Sequence, residues 1–184
     1  TVTRAEQTVA RRMLESHGLR NSFIVLIPGA AWAQKQWFAD RYAAVVEKLS
    51  HNTDRTVVML GSKNDSICGE ILKLNRDLID LAGKTSLRDA LSVISLADAA
   101  FGRDTGLIHA AEALGVPVSM ILGPTSTETG AGVSLTRSEN ISSDVWCRPC
   151  SQNGKNPCYR SRQFCMDQIS IESVTSSITK RLLV

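Results

Sequence analysis

The sequence lacks any apolar stretch long enough to cross a membrane as a helix, and no signal-peptide pattern opens it. It also lacks a dense Lys/Arg run: the net charge is +3 over 184 residues, too mild to argue for nucleic acid. No Gly-x-Gly-x-x-Gly follows the first apolar run, so there is no dinucleotide fingerprint, and no Gly-x-x-x-x-Gly-Lys-Ser/Thr marks a P-loop. His-Glu-x-x-His is missing too, nothing resembles a Ser-His-Asp arrangement, and no repeat or low-complexity segment is visible. What is there is a globular composition, 43% hydrophobic and 21% charged, long enough for one domain with its own core. The first residue is Thr1 rather than Met, which suggests a start inside a longer reading frame.

Short apolar runs alternate with helical patterns. Residues 3–17 read as a helix ended by Gly18, with Val9 and Met13 one turn apart, and residues 1–20 are expected to connect to a preceding domain. Strands are predicted at 23–27, 56–60, 78–83, 97–101 and 116–122. Between them, Phe38, Tyr42, Val45, Val46 and Leu49 share one helical face, and a further helix is expected over about 65–75. Ser86-x-x-Asp89 has capping-box form before a stripe of Leu87, Ala90, Leu91 and Ile94. Another helix runs from Thr105 to Leu114, with Leu107, Ala110, Ala111 and Leu114 toward the core. Residues 124–168 should be largely irregular, and Ile171, Val174, Ile178 and Leu182 predict a closing helix. Strand–helix alternation with wholly apolar strands implies an α/β fold: a Rossmann-like, doubly wound parallel sheet covered on both faces, occupying residues 21–184.

Ligands of open parallel sheets bind at the carboxyl ends of the strands, near the switch in strand order. Three loops fall there. In the first, Gly29, Ala30 and Ala31 let a ligand approach the backbone, and Lys35 offers a point charge for phosphate or is simply solvated. In the second, Asp65 either accepts from ribose hydroxyls or only favours the dipole of the following helix. In the third, Asp104, Thr105 and Gly106 open the helix that carries His109, and a helix start is an anion site. Thr105 and His109, four apart, point to one side of that helix. The plainer reading makes Asp104 an N-cap and His109 a half-buried, hydrogen-bonded side chain.

Four stretches, in order, carry a family resemblance: IPGAAWAQKQWFADRYAAVVEKL, VVMLGSKND, LAGKTSLRDALSVISLADAAFGRDTGLIHAAEALGVPV and ILGPTS. Together they resemble glycosyltransferase family 9, the ADP-heptose:lipopolysaccharide heptosyltransferases. The resemblance is good over residues 20–126. It implies the C-terminal, donor-binding domain of a two-domain GT-B enzyme, lacking here the N-terminal domain that contributes much of the acceptor site and the general base. The implied reaction is inverting transfer of heptose from ADP-heptose to the lipopolysaccharide inner core or lipid A, in the cytoplasm or peripherally at the inner membrane. By motif position, Lys35 would meet the donor phosphates or leaving diphosphate, and Asp65 the ribose. Thr85, Ser86 and Leu87 would lie near the adenine; Asp104, Thr105 and Gly106 beside the diphosphate and sugar, supported by His109. Lys35 and Asp104 are the residues with a catalytic part. Ala30 and Ala31 depart from the hydroxyl residues common there, and Arg103 is unusual before the Asp. No cofactor is required if a lysine and backbone dipoles meet the leaving-group charge. A non-catalytic nucleotide-binding module and a GT-B enzyme using another nucleotide sugar are the alternatives.

Cys147, Cys150, Cys158 and Cys165 supply enough ligands for one structural zinc, though only the first pair has knuckle spacing; free thiols or an oxidised pair are the other readings. Arg148, Lys155, Arg160 and Arg162 make this segment basic, facing either lipid A phosphates or solvent.

Overall fold

The computed structural model describes residues 1–183. Six strands, β1 (Phe23–Ile27), β2 (Thr56–Met59), β3 (Leu78–Asp80), β4 (Ala99–Arg103), β5 (Val118–Ile121) and β6 (Glu139–Ile141), form one sheet in the order β3-β2-β1-β4-β5-β6. Every pairing is parallel. The chain walks outward from β1 to β3, then returns to the other side of β1 to lay down β4. The switch in strand order therefore falls between β1 and β4, and the loops that leave those two strands flank a crevice.

Helix α1 (Arg4–Ser16) and helix α4 (Leu87–Ile94) both start with capping boxes, Thr3 with Glu6 and Ser86 with Asp89. With α5 (Gly106–Ala113) they cover one face of the sheet, where Val25, Ile27, Val58, Leu60 and Ala100 point. Helices α2 (Ala39–Asn52), α3 (Ser66–Leu74) and α7 (Ile171–Arg181) cover the other, where Ile24, Leu26, Val57, Met59 and Phe101 point. Successive residues of β1 are thus buried on opposite faces, the signature of a strand between two helical layers. Trp37 packs edge-on against Tyr42 at 4.9 Å, and Tyr42 reaches Phe101, fastening the start of α2 to β4.

Several expected faces shift by a residue. The buried side of α1 is Ala10 and Leu14, while Val9 is exposed, so the helix expected as a connector contributes to the core of this domain. Phe38 is the N-cap of α2 and half out in solvent, whereas Tyr42, Val45, Val46 and Leu49 are buried as the periodicity predicts. On α4 the core stripe is Ala90, Val93 and Ile94; Leu87 is 69% exposed. On α5 the core face centres on Ile108 and Ala111. Residues 124–168 are mostly irregular, as expected, but they also hold β6 and a one-turn helix, α6 (Phe164–Asp167). The three residues of β6 are too few to leave a periodic signature, and only pairing with β5 defines them.

The central pair β1–β4 closes tightly. Ile27 lies opposite Gly102, and a Cβ on Gly102 would overlap the Ile27 carbonyl. That contact brings the loops after β1 and β4 within reach of each other.

Candidate functional site

The crevice at the β1/β4 switch holds a cavity of about 540 Å³, ample for a nucleotide-sized ligand. Its floor is Ile27 and the small residues Gly29, Ala30 and Ala31; Asp65 lines one side, and Thr105 and Gly106 the opposite one. Leu87, Leu91 and Leu107 supply an apolar wall. A Cβ on Gly29 would overlap the Asp65 carboxylate, so glycine is what lets the loops after β1 and β2 meet. Asp65 is the N-cap residue of α3, yet its side chain does not cap the helix. It turns back instead, and Oδ2 accepts the Ser62 backbone N–H at 2.6 Å. The carboxylate is thereby held at the cavity edge, and among the described residues its other oxygen accepts no hydrogen bond and can take a hydroxyl. Behind it, Cys68 is buried; burial, with Asp65 and Asp80 nearby, pushes its thiol up to about 12, too high for a nucleophile at neutral pH.

Across the cavity, Thr105 is the N-cap of α5 without a side-chain cap bond, and its buried Oγ1 has no partner among the described residues. The first-turn amides of α5 are therefore unclaimed by a cap and lie at the cavity rim, where an anion is favoured.

Just beyond that rim stands a three-membered charge cluster. The Lys35 ammonium bonds Asp104 Oδ2, and His109 Nε2 donates to Oδ1 at 2.8 Å. Burial pushes the Asp104 carboxyl up, but the hydrogen bonds from His109 and Lys35 and their charges outweigh it and leave the group at about 2. The same hydrogen bond to Asp104 raises His109 above its ordinary 6.5 against a smaller opposing effect of burial. Lys35 is thus no free point charge: it is 13% exposed, paired, and overlaid by Gly154 from the cysteine-rich segment. An ammonium has three donors, however, and the pair occupies one.

The structure gathers Gly29, Ala30, Ala31, Asp65, Leu87, Thr105 and Gly106 around one cavity and sets Lys35, Asp104 and His109 beside it. Thr85 and Ser86 do not line the cavity: Ser86 spends its side chain capping α4. Sequence reasoning missed Leu91 and Leu107 as wall residues. Their signal was present in the helical spacing of Leu87 and Leu91, but an apolar stripe reads first as core. It also missed Gly154, for which no sequence signal exists.

Arg103, at the end of β4, is fully buried, and among the described residues none of its guanidinium nitrogens has a hydrogen-bond partner. Burial pulls it down to about 10, while Tyr42 and Asp104 oppose that, so it stays charged at neutral pH.

Cys147, Cys150, Cys158 and Cys165 are all free and line one small enclosed cavity with Tyr159 and Arg160. Burial pushes the Cys150 and Cys165 thiols up. Among the described residues, no three His, Cys, Asp or Glu side chains form a group that could hold a metal ion.

The family model described as glycosyltransferase family 9 (heptosyltransferase) matches residues 2–159. The lipooligosaccharide heptosyltransferase 2 of Campylobacter jejuni is 26% identical, over 85% of this chain and 50% of its own length. The lipopolysaccharide heptosyltransferase 2 of Salmonella typhimurium is 36% identical over a shorter stretch, 55% of this chain and 31% of its own. The solved structure of the E. coli ADP-heptose lipopolysaccharide heptosyltransferase II is similar in fold, with a TM-score of 0.79 at 24% identity, covering 100% of this chain and 53% of that one. The chain spans about half the length, or less, of these curated relatives.

Proposed function

The chain belongs to glycosyltransferase family 9, and from that premise we propose that it is the donor-binding half of a GT-B enzyme that moves heptose from ADP-heptose to the lipopolysaccharide inner core. The observation that carries this reading is the contact between Lys35 and Asp104 beside the uncapped start of α5, at the mouth of a cavity floored by small residues. In the proposed complex Asp65 accepts from the ribose, Leu87 and Leu91 flank the adenine, and the diphosphate lies along the first turn of α5. Lys35 turns its unspent donors to that diphosphate, and Asp104 with His109 holds the lysine in position.

The acceptor hydroxyl oxygen attacks the anomeric carbon while the carbon–oxygen bond to ADP breaks and its electron pair leaves with the diphosphate. The charge that develops there is met by the ammonium and by backbone dipoles already fixed in place. Asp104, at about 2 and doubly hydrogen-bonded, is too weak a base to take a hydroxyl proton. We assign the base, and much of the acceptor site, to an N-terminal half, and place the enzyme in the cytoplasm at the inner membrane.

Calorimetry tests the donor site. ADP is expected to bind more tightly than UDP or GDP. Lys35→Ala is expected to weaken ADP by about tenfold while leaving adenosine unchanged, the loss of one charge-assisted bond. Asp65→Ala is expected to weaken both. Equal affinity of Lys35→Ala and the parent for ADP, or tighter binding of UDP, overturns the reading.

A further inference from the structure

The donor site makes no use of the outer surface of the cysteine-rich segment, yet that surface has a composition unlike the rest of the molecule. Trp146 is 79% exposed, Tyr159 67% and Trp32 39%. Each exposed tryptophan carries a cation on its face: the Arg160 guanidinium lies 5.4 Å from the Trp146 ring, and the Lys155 ammonium 5.9 Å from that of Trp32. Residues 145–166 contain four cations, Arg148, Lys155, Arg160 and Arg162, and no Asp or Glu. Arg148 is consumed internally by carbonyls and Arg162 faces Asp167, which leaves the exposed Lys155, and Arg160, half-buried over Phe164 and donating to Cys147 Sγ but with guanidinium donors to spare, as the charges that can meet a partner.

We infer that this face, Trp32 with residues 146–162, docks on an anionic lipid bilayer. Indole and phenol rings have an apolar body and a polar edge, which suits the boundary between hydrocarbon and water. Cations lying over those rings meet the lipid phosphates. A wholly apolar groove would fit a helix of another protein, and a wholly basic one a soluble polyanion; protruding aromatics overlaid by cations fit neither as well. The face is also fixed relative to the donor site. Gln163 Nε2 bonds the Gln34 carbonyl, and Gly154 lies on the Lys35 side chain, so the segment is tied to the turn that presents Lys35. Docking would therefore hold the Lys35–Asp104 cluster close to the lipid surface, where a lipid-borne acceptor sits; this last consequence rests on the function proposed above, the docking itself does not.

The test is sedimentation of the full chain with vesicles of phosphatidylcholine, with and without phosphatidylglycerol. The chain is expected to sediment with the anionic vesicles only and to be released by salt. Trp146→Ser with Tyr159→Ser is expected to abolish sedimentation, and Lys155→Glu to weaken it by about thirtyfold, on the scale of two unit charges near the surface. Circular dichroism checks that each variant is folded; Lys155 is exposed, so its variant keeps the test open should the aromatic pair disturb the segment. Inorganic phosphate is expected not to displace the chain. Equal sedimentation with both vesicle types, none with either, unchanged binding by both variants, or displacement by phosphate overturns the inference. ADP calorimetry on the same variants separates the two ideas, since these residues lie outside the donor cavity. Vesicle binding with no ADP binding leaves the docking face and removes the donor reading; the converse removes the docking face alone.

Discussion

The sheet with its helices and the irregular segment that follows β5 are held together by different forces. In the first, β1 is wholly apolar and its neighbours β2 and β4 nearly so, each buried face packs against helices, and hydrogen bonds run strand to strand. In the second, polar side chains take the place of a ladder. Arg148 spans the segment by donating to the carbonyls of Gly123, Ser143 and Thr125, the last two at 3.0 and 2.9 Å. Arg41, reaching over from α2, donates to the carbonyls of Asp167 and Ile169 at 2.6 and 2.8 Å. Irregular backbone leaves its carbonyls without neighbours, and a guanidinium with five donors in a fixed fork can satisfy several at once. The sheet is cooperative and spread over many contacts, whereas the segment depends on a few residues.

The largest effect expected breaks the sheet. Gly102→Ala drives a Cβ into the Ile27 carbonyl at the carboxyl end of the β1–β4 pairing, where neither strand can move without losing its other partner. A loss of more than about 4 kcal/mol is expected, enough to unfold the whole chain. Denaturant titration checks it, and a variant that melts like the parent would contradict the central role given to this strand pair. Arg148→Ala comes next. It orphans three carbonyls and is expected to cost about 3 kcal/mol, but locally. Hydrogen exchange should accelerate over the segment after β5 while β1, β2 and β4 stay protected. Uniform acceleration would mean that the two regions form one cooperative unit and that the contrast drawn here is false.

Arg103 sharpens the contrast because it is the same residue type in the other region. There it finds no carbonyl: it is fully buried, with Tyr42 and Asp104 near enough to act on its charge, yet no nitrogen of its guanidinium has a hydrogen-bond partner among the described residues. Arg103→Met removes a buried charge that lacks hydrogen bonds and keeps most of the volume. A gain of about 1–2 kcal/mol is expected, opposite in sign to the loss at Arg148. Thermal melting of the two variants side by side checks this; a loss at both would show that Arg103 has a partner role after all.

This division also governs what could be read from the sequence. The strands at 23–27 and 56–59 and the capped start of α4 were legible because their signals are local: an apolar run, a period, a capping pair. The loops that line the cavity were legible because strand ends in a parallel sheet have a known place. Leu87 was misread as core since periodicity says which residues share a face, not whether that face is covered. The charge on Arg103 gave no hint of burial. Above all, the pairing of Lys35 with Asp104 joins residues 69 apart. Each could be named as a site residue, but that they neutralise each other depends on the closeness of β1 and β4.

The smallest effect expected concerns that cluster and follows from its charges. With His109 protonated the three groups sum to one positive charge, and with His109 neutral they sum to zero. A diphosphate at the start of α5 therefore binds better to the protonated form. Since Asp104 raises His109 above 6.5, ADP affinity should decline as pH climbs through that raised value. The ring is 42% exposed, so screening limits the effect to about threefold. His109→Gln should flatten this part of the profile and leave only the titration of ADP itself. Stability moves in parallel. The contribution of His109 is complete below its unfolded value near 6.5 and is lost as pH rises through the folded one. That of Asp104 is complete above its unfolded 3.8 and fades as pH falls toward about 2. Calorimetric titrations of parent and His109→Gln across this range check the claim. If both decline alike, the histidine is too far from the phosphates to matter, and the diphosphate lies along α5 without the cluster's help.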